Sequence, residues 1–210
     1  PNPQGGVIRR RAGEQEPDGV MEENAHFMVL LKVLPKLGVD QIAALFVKGE
    51  QTYARYGYTT AQEGAGMANW AHALEKPENR AKLKIDVVFY PTLAMLGDDP
   101  LMSSPLVSRQ YNQHFRIGGV KVVLDGSPQG RTAWLTQPFY KAPDNQKQGY
   151  AGYGAFTDAQ LKALVTKAYQ KNWQVLAHSN GDAASDQLLR TVDAVSKEVP
   201  GQDRRTVLIH

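Results

Sequence analysis

The sequence predicts an α/β fold built from parallel strands and helices, and three observations predict it. Short β-prone runs alternate with helix-patterned segments along the chain. The later strand-like runs are apolar nearly throughout, as strands covered on both faces are. A composition of 42% apolar and 21% charged residues provides a core and argues against a disordered chain.

Residues 1–20 are rich in Gly, Pro and charge and read as a hairpin or irregular opening segment. A helix is expected from about Asp40, a good N-cap, to Arg55, with Gly57 as its stop. Ile42, Leu45 and Phe46 fall at i, i+3 and i+4, the spacing of one helical face. Strands are expected at 58–62, at 85–90 (ended by Pro91), at 120–124, at 173–177 and at 206–209. Thr157-Asp158-Ala159-Gln160 has the capping-box pattern, followed by the stripe Leu161, Leu164, Val165 and Ala168. A further helix carries Leu188, Leu189, Val192 and Val195 and ends near Pro200-Gly201. Between about 126 and 156 lies a long aromatic and polar loop, a length that usually marks function or disorder. Five such strands fit an open doubly wound sheet or part of a (β/α)8 barrel, and a whole barrel typically takes about 250 residues.

The chain has no cysteine, which excludes disulfides, thiolate metal sites and cysteine nucleophiles. Its apolar run Phe27–Leu31 is too short for a membrane span. No Walker pattern or Gly-x-Ser-x-Gly elbow is present, and Gly149–Gly154 lacks the strand-to-helix setting of a dinucleotide fingerprint. Twenty-four basic against 21 acidic residues leave a net charge of only +3, and Arg9-Arg10-Arg11 is followed closely by Glu14, Glu16 and Asp18. That triplet reads as a solvated surface, so neither nucleic acid nor membrane is an expected partner.

Ligands of parallel α/β folds gather at the C-terminal ends of the strands. One such end is near Glu63, another exits at Asp125, and two close on His178 and His210. Lys121 lies inside an apolar strand, where an unpaired ammonium is costly; it must be paired, neutral or modified. The bland reading pairs it with Asp125, and the sharper one makes it a base, a Schiff-base former or a carbamate that carries metal. A lone strand-end histidine is usually a hydrogen-bonding residue. Two on consecutive strands beside a buried lysine suit zinc or a similar divalent ion. Asp182 either orients an imidazole or simply sits at a helix N-terminus that favours its charge. His26, His72 and His114 read as surface residues. The loop aromatics Trp134, Phe139, Tyr140, Tyr150, Tyr153 and Phe156 either pack the loop down or line a pocket.

Several blocks then resemble the amidohydrolase superfamily, in its YtcJ-like branch that also holds N-substituted formamide deformylases. They are Pro3–Ile8 with Gly19-Val20-Met21-Glu22-Glu23, Tyr56–Gly64, Val120-Lys121-Val122-Val123-Leu124-Asp125-Gly126-Ser127, Ala177-His178-Ser179-Asn180-Gly181-Asp182, and Arg204–His210. The resemblance implies a metal-dependent (β/α)8 hydrolase acting on a non-peptide carbon–nitrogen bond. It also implies that Lys121 is a fourth-strand lysine, carbamylated in many relatives, and that His178 and His210 are fifth- and sixth-strand metal ligands. The first-strand His-x-His pair of the family is missing, because the five histidines stand at 26, 72, 114, 178 and 210. Arg11 falls where relatives often carry Asp, and Ser179-Asn180 replaces the usual pair after the histidine.

The expectation is therefore a partial TIM barrel, about strands 2 to 6, with residues 1–210 forming the central fragment of a catalytic domain. The intact enzyme is expected to use one or two divalent metal ions, zinc first, on a small amide-type substrate, with Asp182 as a catalytic residue. The fragment itself is expected to be inactive, cytoplasmic and prone to form a homo-oligomer through uncovered apolar edges. The rival expectation is a non-catalytic α/β module that holds a small ligand in its aromatic loop.

Overall fold

The computed structural model describes residues 1–11, 13–143 and 146–210. Residues 144 and 145, within the long loop anticipated at 126–156, lie outside the described residues. The chain opens with a hairpin of β1 (Gly6–Arg10) and β2 (Pro17–Glu23), paired antiparallel. Helices α1 (Asn24–Val33) and α2 (Val39–Arg55) follow, then β3 (Thr60–Gly66), α3 (Ala68–Glu75) and the short α4 (Pro77–Arg80). Next come β4 (Asp86–Pro91), the short α5 (Leu93–Leu96), a 3-10 turn (Pro100–Ser103), β5 (Phe115–Ile117) and β6 (Gly119–Val123). The chain closes with α6 (Asp158–Gln170), β7 (Gln174–His178), α7 (Asp182–Glu198) and β8 (Val207–Ile209).

Beyond the hairpin, every strand pairing is parallel, in two small open sheets ordered β3-β4-β5 and β6-β7-β8. The two sheets meet through one chain run. β5 and β6 are separated only by Gly118, and a parallel bridge between Thr92 and Lys121 places β6 beside the end of β4. Within each sheet the strands follow chain order, and β5 and β6 form one run whose second half lies beside the end of β4. The changeover needs glycine. A Cβ on Gly118 would lie 2.6 Å from the Tyr90 hydroxyl, and one on Gly119 would lie 2.1 Å from the Gln174 carbonyl.

Alternation along the strands divides the side chains between two faces. One face carries Val87, Phe89, Phe115, Ile117, Val120, Val122, Val175 and Ala177, and it packs against α3, α6 and α7 in the main core. The opposite face carries Val88, Tyr90, Leu176 and Ile209 in a smaller cluster. Register places Lys121 beside Leu176, and His178 beside both Val123 and Ile209, on this second face.

The helices follow their sequence signals with local corrections. α6 starts with the Thr157–Gln160 capping box, and Gly57 ends α2 with φ +82. The start of α2 is set by Gly38, whose N–H donates to Gln41 Oε1 at 2.9 Å; Asp40 lies in the first turn instead. Leu45 and Leu189 are exposed although their spacing suggests burial. Leu45 lines an apolar cavity of about 340 Å³ beside β3, together with Leu37, Ile42, Phe46, Tyr53 and Trp70. α1, which lacks a clear sequence signal, exposes Phe27, Met28, Val29, Leu31 and Val33. Among the described residues no helix is long and apolar enough to cross a membrane.

His72 is more than a surface residue. Its Nδ1 meets Glu75 Oε2 at 2.6 Å, and its Nε2 meets the Asp99 carboxylate at 3.0 and 3.1 Å, tying α3 to the turn after α5. Burial pushes the imidazole down, but hydrogen bonds to Glu75 and Asp99 together with their charges hold it above its ordinary value of 6.5. Carboxylates at both ring nitrogens require both to donate, so the imidazolium is the bound form. Its folded value is raised, so the stability it contributes is full below about 6.5 and is lost as pH rises through the folded value. Wild-type melting temperature should therefore fall across that range, while a His72→Gln variant should lack this component. Parallel curves for the two proteins would contradict it.

Candidate metal centre

Lys121 in the middle of β6 and His178 at the end of β7 share one sheet face, and His210 just past β8 lies against His178. Lys121 is 4% exposed, between the buried Val120 and Val122. Burial pulls its ammonium down to about 8, and among the described residues no carboxylate offsets that cost. Asp125, the partner that the sequence suggests, makes no ion pair with Lys121; backbone N–H groups donate to its oxygens instead. His178 closes β7, and its ring lies 5.7 Å from that of His210, stacked at 27°. His210 follows Ile209 just past the strand end, where pleat alternation no longer dictates its direction. Burial pushes His178 below its ordinary value; the Lys121 ammonium adds to this, and the Asp125 charge opposes it.

Asp125 is the best-connected group near the site. It is 4% exposed, and three backbone N–H groups donate to it: Asn180 to Oδ1 at 2.9 Å, Trp134 to Oδ2 at 2.9 Å and Gly181 to Oδ2 at 2.7 Å. Gly181 is the N-cap of α7, so the carboxylate sits against the positive end of that helix. One side chain thereby joins the end of β6, the turn after His178 and the start of the long loop. The joint is tight: a Cβ on Gly181 would lie 1.7 Å from the Trp134 carbonyl oxygen.

Asp182 makes a second clamp, not a contact to imidazole. Its Oδ1 accepts from Thr136 N at 2.8 Å, and its other oxygen accepts from the Thr136 hydroxyl. The first turn of α7 also uses it, through Ala183 N at 3.0 Å. The hydrogen bonds from Thr136 hold its carboxyl below the usual range. His178 is contacted by Asn180 instead, with Asn180 Nδ2 3.0 Å from His178 Nε2 and 2.7 Å from the Gly126 carbonyl. Glu63 does not join the site. Its register partner is Phe89, on the helix-packed face, and its Oε1 accepts from Ala65 N.

Sequence reasoning also missed the hairpin's contribution. Glu23, at φ +48, accepts from the Thr132 hydroxyl at 2.6 Å. Glu22 is buried, paired with Arg9, and accepts from the Tyr153 hydroxyl at 3.2 Å. The hairpin and the aromatic loop thus form one wall. Burial, followed by the Glu22 charge, pushes the Tyr150 phenol up to about 12. Phe139 stacks on Tyr150 at 6.0 Å, whereas Tyr140 is fully exposed, so both readings of the loop aromatics apply to different residues.

The donor set fits a divalent metal in kind, if not in number. Two imidazoles and a lysine are nitrogen groups of the kind that bind such ions, and burial disfavours the cations of His178 and Lys121. Among the described residues no group of three or more His, Asp or Glu side chains converges as a complete site.

Comparison with known proteins bears on this arrangement. The pattern of the amidohydrolase family matches residues 1–210. A Bacillus subtilis (strain 168) protein named "Putative amidohydrolase YtcJ" is 26% identical over 224 residues, covering 100% of this chain and 38% of that protein. Among solved structures, an uncharacterized metal-dependent hydrolase from Pyrococcus horikoshii OT3 superposes with a TM-score of 0.65 at 22% identity, over 90% of this chain and 38% of its own. A second, from Pyrococcus furiosus, gives 0.65 at 20% identity, over 90% and 39%. The mixed α/β fold is thus shared with these hydrolases, and the chain spans well under half the length of each relative.

The clamp at Asp125 is directly testable. An Asp125→Asn variant keeps the shape but loses the charge and one acceptor oxygen, so it should unfold about 3 kcal/mol more easily, since hydrogen bonds to charged groups are worth roughly 1.5–3 kcal/mol each. Asp182→Asn should cost much less, because Asp182 is solvent-exposed. Urea unfolding of both variants decides the order, and equal losses would remove Asp125 from its central place.

Proposed function

This chain belongs to the amidohydrolase family, and we propose that it supplies Lys121, His178 and His210 to the divalent metal centre of a hydrolase acting on a non-peptide, amide-type carbon–nitrogen bond. The observation that carries this reading is the buried Lys121, without a counter-charge among the described residues, beside the stacked pair His178 and His210. The names of the Bacillus and Pyrococcus proteins support it in kind. The parallel strands form an arc of a (β/α)8 barrel, and further donors come from other parts of a longer protein, in keeping with relatives of which this chain covers 38%.

Zinc, as one or two ions, is the metal that suits these donors, and when bound it supplies Lewis-acid activation of water and of the scissile carbonyl. The chain's own residues prepare the place. Lys121 is easily deprotonated, and its free amine adds carbon dioxide with loss of a proton, giving a carbamate oxygen donor where an ammonium is disfavoured. His178, disfavoured as a cation by burial, and His210 present imidazole nitrogens. Asp125 fixes the turn that carries His178, and Asp182, through Thr136, holds the aromatic loop against the start of α7. That loop and the hairpin exclude water from one flank and bind a small-molecule substrate. Asp182 therefore acts by positioning. The protein works in the cytoplasm, and the exposed apolar surface of α1 favours a homo-oligomer.

The test compares the full-length protein with the 210-residue chain on N-formyl and N-acyl amines and on peptides. The full-length protein should hydrolyse the amides, lose activity to a chelator and regain it with zinc, while the shorter chain stays inactive. His178→Ala or His210→Ala should lower the full-length rate by more than the roughly 100-fold that loss of an outer partner costs. Activity in the shorter chain, or full activity in His178→Ala, would overturn the reading.

A further inference from the structure

The amide of Asn180 stands between two acceptors, the Gly126 carbonyl at 2.7 Å and His178 Nε2 at 3.0 Å. Its orientation is determined by the first. Exchanging Oδ1 and Nδ2 would set two acceptor oxygens 2.7 Å apart with no proton between them. Nδ2 therefore donates one hydrogen to Gly126 and has its second for the imidazole. A nitrogen that accepts carries no proton, so the ring proton of His178 resides on Nδ1. The side chain has little freedom to drift, because the backbone N–H of Asn180 donates to the buried Asp125 carboxylate.

We propose that Asn180 is a positioning residue that holds His178 as the neutral Nδ1–H tautomer and covers Nε2, so that metal capture requires release of the Asn180 contact. The tautomer follows from this chain alone, while the coupling to metal rests on the proposed metal centre. Capture through Nε2 needs the lone pair that the amide occupies. Capture through Nδ1 displaces its proton, and a proton placed on Nε2 would then face the N–H of Asn180. The contact breaks either way, and the Gly126 carbonyl keeps the released amide satisfied. Loss of one neutral hydrogen bond should weaken metal binding by about fivefold relative to a chain without Asn180.

Long-range proton–nitrogen correlation spectra of the metal-free, 15N-labelled chain read the tautomer, with His178 assigned by loss of its signals in His178→Gln. Wild type should show Nδ1–H, whereas Asn180→Ala should move to the Nε2–H form that free imidazole prefers. Asn180→Asp cannot donate to either acceptor, so its carboxylate turns from the Gly126 carbonyl and leaves Nε2 without a donor; it should also give Nε2–H, which keeps the test decisive should the alanine variant not fold. Zinc titration should find Asn180→Ala binding about fivefold more tightly than wild type. An Nε2–H wild type, or no change in either variant, overturns the role of Asn180 whatever the metal does. The expected tautomers with no zinc uptake by any protein overturn the coupling and the metal centre together.

Discussion

The candidate site depends on a single buried charge. Asp125 is nearly inaccessible and has no cationic partner among the described residues; three peptide N–H groups and the N-terminus of α7 stabilise it instead. Each of those N–H groups belongs to a different part of the architecture. Trp134 opens the long loop, Asn180 lies in the turn beyond His178, and Gly181 begins α7. A carboxylate taken out of water must find such donors, so the loop and the turn have one arrangement that satisfies it.

That constraint explains why an otherwise loose assembly of two small sheets can hold a defined site. The strands themselves bring Lys121 and His178 to one face, through parallel register and the alternation of side chains. Register does not fix what lies above the strand ends. There Asp125, Asp182 and the hairpin glutamates each capture a piece of the aromatic loop, and Asn180 locks the imidazole. The result is a polar framework around a lysine that has no counter-charge among the described residues.

Much of the strand and helix plan could be read from the residues, because local signals carry it. The four later strand runs, the Thr157 capping box and the Gly57 stop lie close to where short-range physics puts them, whereas the first strand, expected at 58–62, is Thr60–Gly66. The burial of Lys121 and the closing of neighbouring strands on His178 and His210 are also legible, since a charge inside an apolar run and a strand's end are visible in one dimension. The partners are not. Asp125 looked like the match for Lys121, four residues away, whereas its true donors lie 9, 55 and 56 residues further along. Asp182 belongs to Thr136, and His72 to Asp99, across separations that no period encodes. Leu45 and Leu189 sat on correct helical stripes yet face outward, because spacing identifies a stripe but not what covers it.

X-ray absorption at the zinc edge of the zinc-loaded chain tests the central claim most directly, because it counts the ligands without requiring catalysis. The account predicts two imidazole nitrogens at about 2.0–2.1 Å with oxygen filling the remaining positions, and loss of one imidazole in His178→Ala and in His210→Ala. A first shell without imidazole, or one unchanged by both substitutions, would contradict it.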